Sequence, residues 1–409
     1  MNPASSIVLI FALTYLGIAI GRVPGLKLNR VGIALLGAIT MMIFGEISTS
    51  RAISFINGPT ICLLFGFFVI SAQLRLSGFY NKVADGIAAR LNHPARFLLM
   101  LMIVTGGLSA FLNHDIVCFV FTPIVASALL RKQLNPVPFL IALAISSNIG
   151  AAATLIGNPK DMMICQVAQL DFGRYLIWSS VPVLFAMACG YGIIWLFSRK
   201  HLQLQPVGQS MPADLACTYD RAHTIKGLVI LVLVVGLFFT SLPKEIIALA
   251  AAGIHLASPK FRTEQLLALV DWPILVLFMG LFVVTGAFQS TGCGEQAVQW
   301  LAHAGFNLNT PVNLTLTTAA LSNLINNSPT VMLLLKVVNL DHPVTAYILA
   351  LANSFGGSLF IIGSVSNIIV VQQARDLGIR ISFRDFTRLG LPVTLAALGG
   401  LIAWALWLG

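Results

Sequence analysis

The sequence predicts an all-α polytopic membrane protein made of two inverted repeats, with about ten transmembrane helices, two re-entrant hairpins and two broken helices. Three observations carry that prediction. The 409 residues are 57% hydrophobic and only 9% charged, whereas a soluble domain carries roughly 25% charged residues. Apolar runs of about 20 residues, the length that crosses a bilayer at 1.5 Å per residue, recur along the chain. One of these runs realigns with another 214 residues later.

Fourteen acids and 24 bases cannot cover a water-facing surface on this chain, and the mean hydropathy is +0.90. A soluble enzyme, a nucleic-acid-binding domain and a disordered protein are thereby excluded, and the lipid bilayer is the first partner implied. Six scattered cysteines, at 62, 118, 165, 189, 217 and 293, show no CxxC or paired spacing. Neither a disulfide frame nor a zinc site or other metal site follows from them. In apolar runs a cysteine acts as a small buried hydrophobe.

Apolar spans are predicted at 4–21, 32–49, 58–74, 137–156, 176–198, 225–242, 244–258, 271–289, 343–362 and 390–408. The first lacks a basic stretch before it and a small-residue cleavage site after it, so it reads as a span and not a removed signal. Two further stretches, 97–130 and 308–340, are broken by polar clusters, and each is expected to be too short for two full spans. They read as re-entrant hairpins, whose tips need protein or a water-filled cavity around them. With both termini outside, 19 of the 24 bases fall in inside loops, Arg30 among them. That asymmetry fits the positive-inside rule and an inner (plasma) membrane.

The segment starting at Pro59 realigns with that starting at Pro273: Gly66, Phe68, Val69 and Gly78 recur as Gly280, Phe282, Val283 and Gly292. Each copy is followed by a broken hairpin and then a long run interrupted by Gly, Ser and Asn. The first half, 1–198, crosses five times, contains the hairpin 97–130 and the broken span 137–170, and hands over through a linker at 199–224. The second half, 225–409, holds the hairpin 308–340 and the broken span 343–375, and begins on the opposite side. Inverted halves with midplane breaks are the architecture of secondary transporters.

Four polar clusters mark the breaks. The hairpin tips read Leu112-Asn113-His114-Asp115 and Asn326-Asn327-Ser328-Pro329-Thr330. The broken spans read Ser147-Asn148-Ile149-Gly150 through Thr154 to Asn158-Pro159-Lys160-Asp161, and Asn353-Ser354 through Gly363-Ser364 to Asn367. Unwinding a helix in hydrocarbon frees backbone groups that Asn, Ser and Thr can satisfy, while freed helix N-termini direct positive potential at a solute. The substrate-binding candidates are Asn113, Asn148, Thr154, Asn158, Asn326, Asn327, Ser328, Thr330, Asn353, Ser354, Ser364 and Asn367. Carboxylates at depth are costly and mark ion pathways, so Asp115 and Asp161, with the titratable His114, are the candidate coupling groups. Asp161 has as its plain alternatives a pair with Lys160 or a capping role. His255 and His303 lie near a span end or in a loop and need no role.

At these clusters the chain resembles the ion transporter superfamily, which includes arsenite efflux pumps, citrate-transporter-like proteins, sodium/proton antiporters and divalent anion/sodium symporters. The motifs resembled are the hairpin tip at Asp115, the break from Ser147 to Pro159, the Asn-Asn-x-Pro-Thr tip from Asn326 to Thr330, and the break from Gly363 to Asn367. Nearly the whole chain is covered. His114 and Asp161 stand where the superfamily commonly has Asn, which tilts the expected coupling ion from sodium toward a proton. The resemblance implies tips and breaks around a shared cavity, elevator-type movement and, in some branches, a homodimer.

Asn326-Asn327-Ser328-Pro329-Thr330 and the compact length look most like proton-coupled arsenite/antimonite efflux, which needs amides and hydroxyls more than bases. A di- or tricarboxylate coupled to sodium or protons is the alternative, and sodium/proton antiport the third. Cys118 and Cys165 are thiols that arsenic chemistry would use, although a buried structural role is the plainer one. No HExxH pair, no Gly-x-Gly-Asp pair of membrane aspartates and no Walker motif is present. The chain therefore does not read as an enzyme; it implies no cofactor and hydrolyses no ATP itself, and a separate ATPase partner stays open.

Overall fold

A computed structural model of the chain describes residues 3–20, 28–88, 93–199, 219–258, 260–293 and 310–408, with 296, 299, 307 and 308. The expected linker at 199–224 falls mostly outside the described residues, as do Cys217 and His303. Among the described residues every regular element is helical. Six helices among the described residues are long and apolar enough to cross a membrane, and shorter apolar helices accompany them.

In the first half α1 (Pro3–Ile20), α2 (Arg30–Phe44) and α4 (Gly58–Leu76) follow the predicted spans. The hairpin arms are α6 (Pro94–Phe111) and α7 (His114–Arg131), the broken span is α8 (Val137–Ala151) plus α9 (Pro159–Val167), and α10 (Phe172–Ser198) closes the half. Two short helices, α3 (Thr49–Phe55) and α5 (Phe79–Ala88), were not expected, because neither is long or uniformly apolar. In the second half come α11 (Arg221–Leu237), α12 (Lys244–Leu256), the short and likewise unexpected α13 (Thr263–Leu267), and α14 (Trp272–Gln289). The second hairpin is α15 (Pro311–Ile325) with α16 (Asn327–Leu334). The second broken span is α17 (Pro343–Gly356), a 3-10 turn at Ile361–Gly363 and α18 (Val365–Asp376), and α19 (Phe383–Leu408) ends the chain.

Equivalent local signals start equivalent helices. Asn57 caps α4 by accepting from Thr60 N–H, and Asp271 caps α14 by accepting from Ile274 N–H, each two residues ahead of a proline in the first turn. Both features fix helix starts, the cap by satisfying an orphan donor and the proline by its preset φ. The packing is reciprocal as well. A Cβ on Gly66 would lie 2.7 Å from Ala248, so α4 meets α12 backbone to backbone. A Cβ on Gly280 would lie 3.1 Å from Ala34, so α14 meets α2 in the same way. Small residues permit this close approach where lipid offers no hydrophobic drive. Each half therefore seals its third span against the other half's second.

The first hairpin corrects one expectation. Its arms are 18 residues each, about 27 Å at 1.5 Å per residue, so arm length does not make it re-entrant. Each arm is by itself long and apolar enough to cross a membrane, and the tip lies inside the protein, with Asn113, His114 and Asp115 all at most 7% exposed. At the start of α11, Asp220 accepts from Lys260 Nζ and from His223 N–H, which holds its carboxyl below the usual carboxylate range.

Candidate functional site

The first break is riveted to its hairpin. Thr105 and Ser146 hydroxyls lie 2.7 Å apart, as do those of Ser109 and Ser147. Thr154 donates to Ala110 O. Gly150 and Gly157 allow the close approach: a Cβ on Gly150 would stand 2.2 Å from Gly106 O, and one on Gly157 2.4 Å from Ser109 O. Asn158 then restarts the helix by accepting from Lys160 N–H at 3.3 Å.

The second break is built from amides. Asn323 donates to Gly356 O at 2.8 Å, and Asn367 to Gly357 O at 2.7 Å and Phe360 O at 3.0 Å. These are carbonyls that the unwound segment would otherwise leave unpaired at depth. The two breaks are joined to each other. Asn148 donates to Asn367 Oδ1 at 2.8 Å, and its own Oδ1 accepts from Ser364 at 2.9 Å and Ser366 at 3.2 Å.

Four helix starts converge on one cavity of about 60 Å³. His114 and Asp115 at the start of α7 line it, with Asn158 and Pro159 at the start of α9. Asn327 to Pro329 at the start of α16 and Ser364 and Val365 at the start of α18 complete the ring. Each start carries roughly half a positive charge. Four polar atoms in the ring are buried without a hydrogen bond: His114 Nδ1, Asn326 Nδ2, Asn327 Oδ1 and Asp115 Oδ1. A donor, two acceptors and a ring nitrogen left open at depth are what a polar solute would satisfy. Asn326 itself has φ 75° and ψ 163°, a conformation essentially reserved for glycine. Tyr15 of α1 donates to Pro329 O at 3.2 Å and pins this tip from the neighbouring helix.

A model of the family described as citrate transporter matches residues 15–340. The chain belongs to the citrate transporter family. It is 32% identical over 371 residues to an uncharacterized transporter of Mycobacterium tuberculosis, covering 86% of each chain. It is 27% identical over 448 residues to the silicon efflux transporter LSI3 of rice, Oryza sativa, covering 91% of each. The solved structure of Neisseria gonorrhoeae MtrF superposes with a TM-score of 0.62 at 13% identity, over 100% of this chain and 95% of that one. At that identity the likeness is one of fold. The chain is thus a multi-pass membrane transporter and not an enzyme.

Within this citrate-transporter-family chain the expected site residues divide by depth. His114, Asp115, Asn158, Asn326, Asn327, Ser328 and Ser364 line the cavity. Asn113, Asn148, Thr154, Thr330, Asn353, Ser354, Asn367 and Asp161 are buried and do not line it. Of these, Asn113 caps α7 through Asp115 N–H at 2.9 Å and Thr330 donates to Asn326 O at 2.8 Å. Asp161 is fully buried, caps nothing and has both carboxylate oxygens without a hydrogen bond. Its pairing with Lys160 does not occur as a contact, because the Lys160 ammonium turns to Asn353 and Ser354.

Two cationic residues of the site escaped the sequence reading. Arg30, counted only as an inside-loop charge, lines the cavity at the start of α2 with its Nε 3.3 Å from Ile18 O. Lys160, expected only as a pairing partner for Asp161, is fully buried. Its signal was present in the sequence as a lone base beside an acid in an apolar break. His255, expected to need no role, is fully buried with neither ring nitrogen hydrogen-bonded. Cys118 and Cys165 are buried and do not line the cavity.

A second, wider cavity of about 470 Å³ lies beyond the same half-helices. Its lining includes Asn57, Met163, Gln166, Thr285, Met332 and Lys336. Pro159 and Pro329, at the starts of α9 and α16, face the small cavity, while Gln166 and Met332 near their far ends face the wide one. The two half-helices form the partition between the cavities.

Proposed function

We propose that this transporter exports a small hydroxylated oxyacid, of the arsenous or silicic acid kind, in exchange for protons by alternating access. The observation that carries the reading is the convergence of four helix starts from both halves on one small cavity. At roughly 10–15 Å³ per water, its 60 Å³ suits a solute of about four to six heavy atoms. The solute's hydroxyls would accept from the helix-start N–H groups and Asn326 Nδ2, and donate to Asn327 Oδ1 and Asp115 Oδ1. The lining holds one guanidinium, Arg30, and one carboxylate, Asp115. A trianion would shed hydration worth several kcal/mol per charge and find little net positive charge in return.

Asp115, at the cavity wall beside His114, is the proton carrier in this reading. His114 Nε2 stands 3.5 Å from Asp115 Oδ1 and 3.4 Å from Asn158 Nδ2, so a proton on either ring or carboxyl alters contacts on both hairpin and break. Movement of the tips and breaks relative to α1, α2 and α14 would close the small cavity and open the wide one. That LSI3 is named for silicon efflux supports the substrate class and the direction. The family's citrate description, together with Arg30, supports a second reading in which a carboxylate is carried.

Flux into proteoliposomes under an imposed pH gradient separates the two, offering arsenite, silicic acid, citrate and succinate, with and without sodium. Oxyacid movement driven by the proton gradient alone and abolished by an uncoupler is expected. Carboxylate uptake with no oxyacid flux would overturn the first reading in favour of the second.

A further inference from the structure

Lys160 is 0% exposed, on the first turn of α9. A buried ammonium costs several kcal/mol unless its hydrogens are met, and here they are met from the other half of the chain. Nζ donates to Asn353 Oδ1 at 2.6 Å and to Ser354 Oγ at 2.8 Å. Asn353 cannot swing away, because its Nδ2 donates to Asn327 O at 3.0 Å, which turns the oxygen toward Lys160. Both acceptors sit in the last turn of α17, where the helix dipole presents negative potential. The charged and titratable groups around the ammonium are Asp161 beside it, Asp115 on α7 and His114. Both Asp161 oxygens are buried and unpartnered.

An oriented amide oxygen, a hydroxyl oxygen and a helix C-terminus are the oxygen donors that a hard cation takes, and the Asp161 carboxylate supplies uncompensated negative charge close by. We propose that the Lys160 ammonium is a tethered substitute for a bound alkali cation: it occupies a cation site in the second half's break and makes the transporter independent of sodium. This rests on the proton-coupled reading above and names the group that removes the need for sodium. Truncating the side chain should uncover the site.

The test is thermal unfolding of the purified full-length protein in detergent, in sodium chloride against choline chloride at equal ionic strength. The wild type should melt at the same temperature in both. Lys160→Ala should melt lower in choline and regain several degrees with sodium, saturably, or with n-propylammonium, which restores the deleted atoms. Stabilisation of the wild type by sodium over choline would overturn the proposal. So would a Lys160→Ala protein indifferent to lithium, sodium, potassium and propylammonium alike. If Lys160→Ala does not accumulate, Lys160→Ser, which leaves the same space and adds one oxygen, takes its place with the same expected response. The melting readout needs no substrate, so failure of the oxyacid reading in flux leaves this result interpretable, and the reverse holds too.

Discussion

Asn148 and Asn367, 219 residues apart, join the two broken spans through a 2.8 Å amide–amide hydrogen bond at full burial. Asn148 spends its whole side chain on this junction, since Oδ1 takes the hydroxyls of Ser364 and Ser366. Asn148→Ala should therefore act on the junction rather than on the solute. Deleting the amide leaves buried polar partners unmet, at about 1–3 kcal/mol each. The expected result is a lower melting temperature with flux reduced equally for every substrate carried. A variant that melts like wild type would show that the breaks are held together by something else.

Ser328 offers the opposite kind of probe. It lines the cavity and its hydroxyl makes none of the hydrogen bonds that hold the tip. Ser328→Leu adds branched apolar volume to a 60 Å³ space and leaves the second hairpin's bonding intact. Melting should stay close to wild type, as it does for substitutions away from packed or bonded features. Oxyacid flux should fall at least tenfold. Undiminished flux in the proteoliposome assay would move the solute pathway away from this tip.

The sequence made the four breaks legible because they violate the composition around them: Asn, Ser, Gly and Asp stand out within apolar runs. At the 214-residue offset, Gly66 and Gly280 are the points of close contact of α4 and α14. Depth within the site was not legible. Asn148 and Asn158 are the same residue type in one broken span, yet the first bonds across to the other half and the second lines the cavity. That choice depends on which way a break unwinds, and no local pattern encodes it. Arg30 was hidden by its position at a span end, where the positive-inside rule offers a sufficient account of any base.

Asp115→Asn keeps the shape of the first tip and removes the ionisable carboxyl. If Asp115 carries the proton, substrate exchange between equal pools should survive while accumulation driven by a pH gradient is lost. Comparing counterflow with gradient-driven flux in one proteoliposome preparation reads both quantities. Gradient-driven accumulation at the wild-type level would remove Asp115 as carrier and leave Asp161 as the buried acid to examine.

Gly150 and Gly107 test the riveting of the first hairpin with a built-in control. A Cβ at Gly150 would collide with Gly106 backbone at 2.2 Å, whereas one at Gly107 meets nothing within 4 Å. Gly150→Ala must push α6 from α8, straining the Thr105–Ser146 and Ser109–Ser147 bonds as well. Overpacking of this kind costs about 1–3 kcal/mol or more. Gly107→Ala should instead be neutral or stabilising by up to about 1 kcal/mol through helix propensity. Equal melting temperatures for the two variants would mean that the close approach of the helices is not required.

Asn326 carries the largest conflict between stability and use. Its backbone sits at φ 75° and ψ 163°, where a side chain costs about 1–3 kcal/mol. Its Oδ1 recovers part of that by accepting from Asn327 N–H at 2.6 Å. Its Nδ2 recovers none, standing buried and unpaired at the cavity. Glycine at 326 loses the cap but releases the strain, whereas alanine loses the cap and keeps the strain. Asn326→Gly should therefore be more stable than Asn326→Ala by about 1–3 kcal/mol, read as the difference in unfolding free energy. Both should lose substrate affinity to a similar extent, since both delete the free donor. If Asn326→Gly binds the oxyacid as well as wild type does, the strained amide serves the backbone alone, and the solute is held by the helix starts without it.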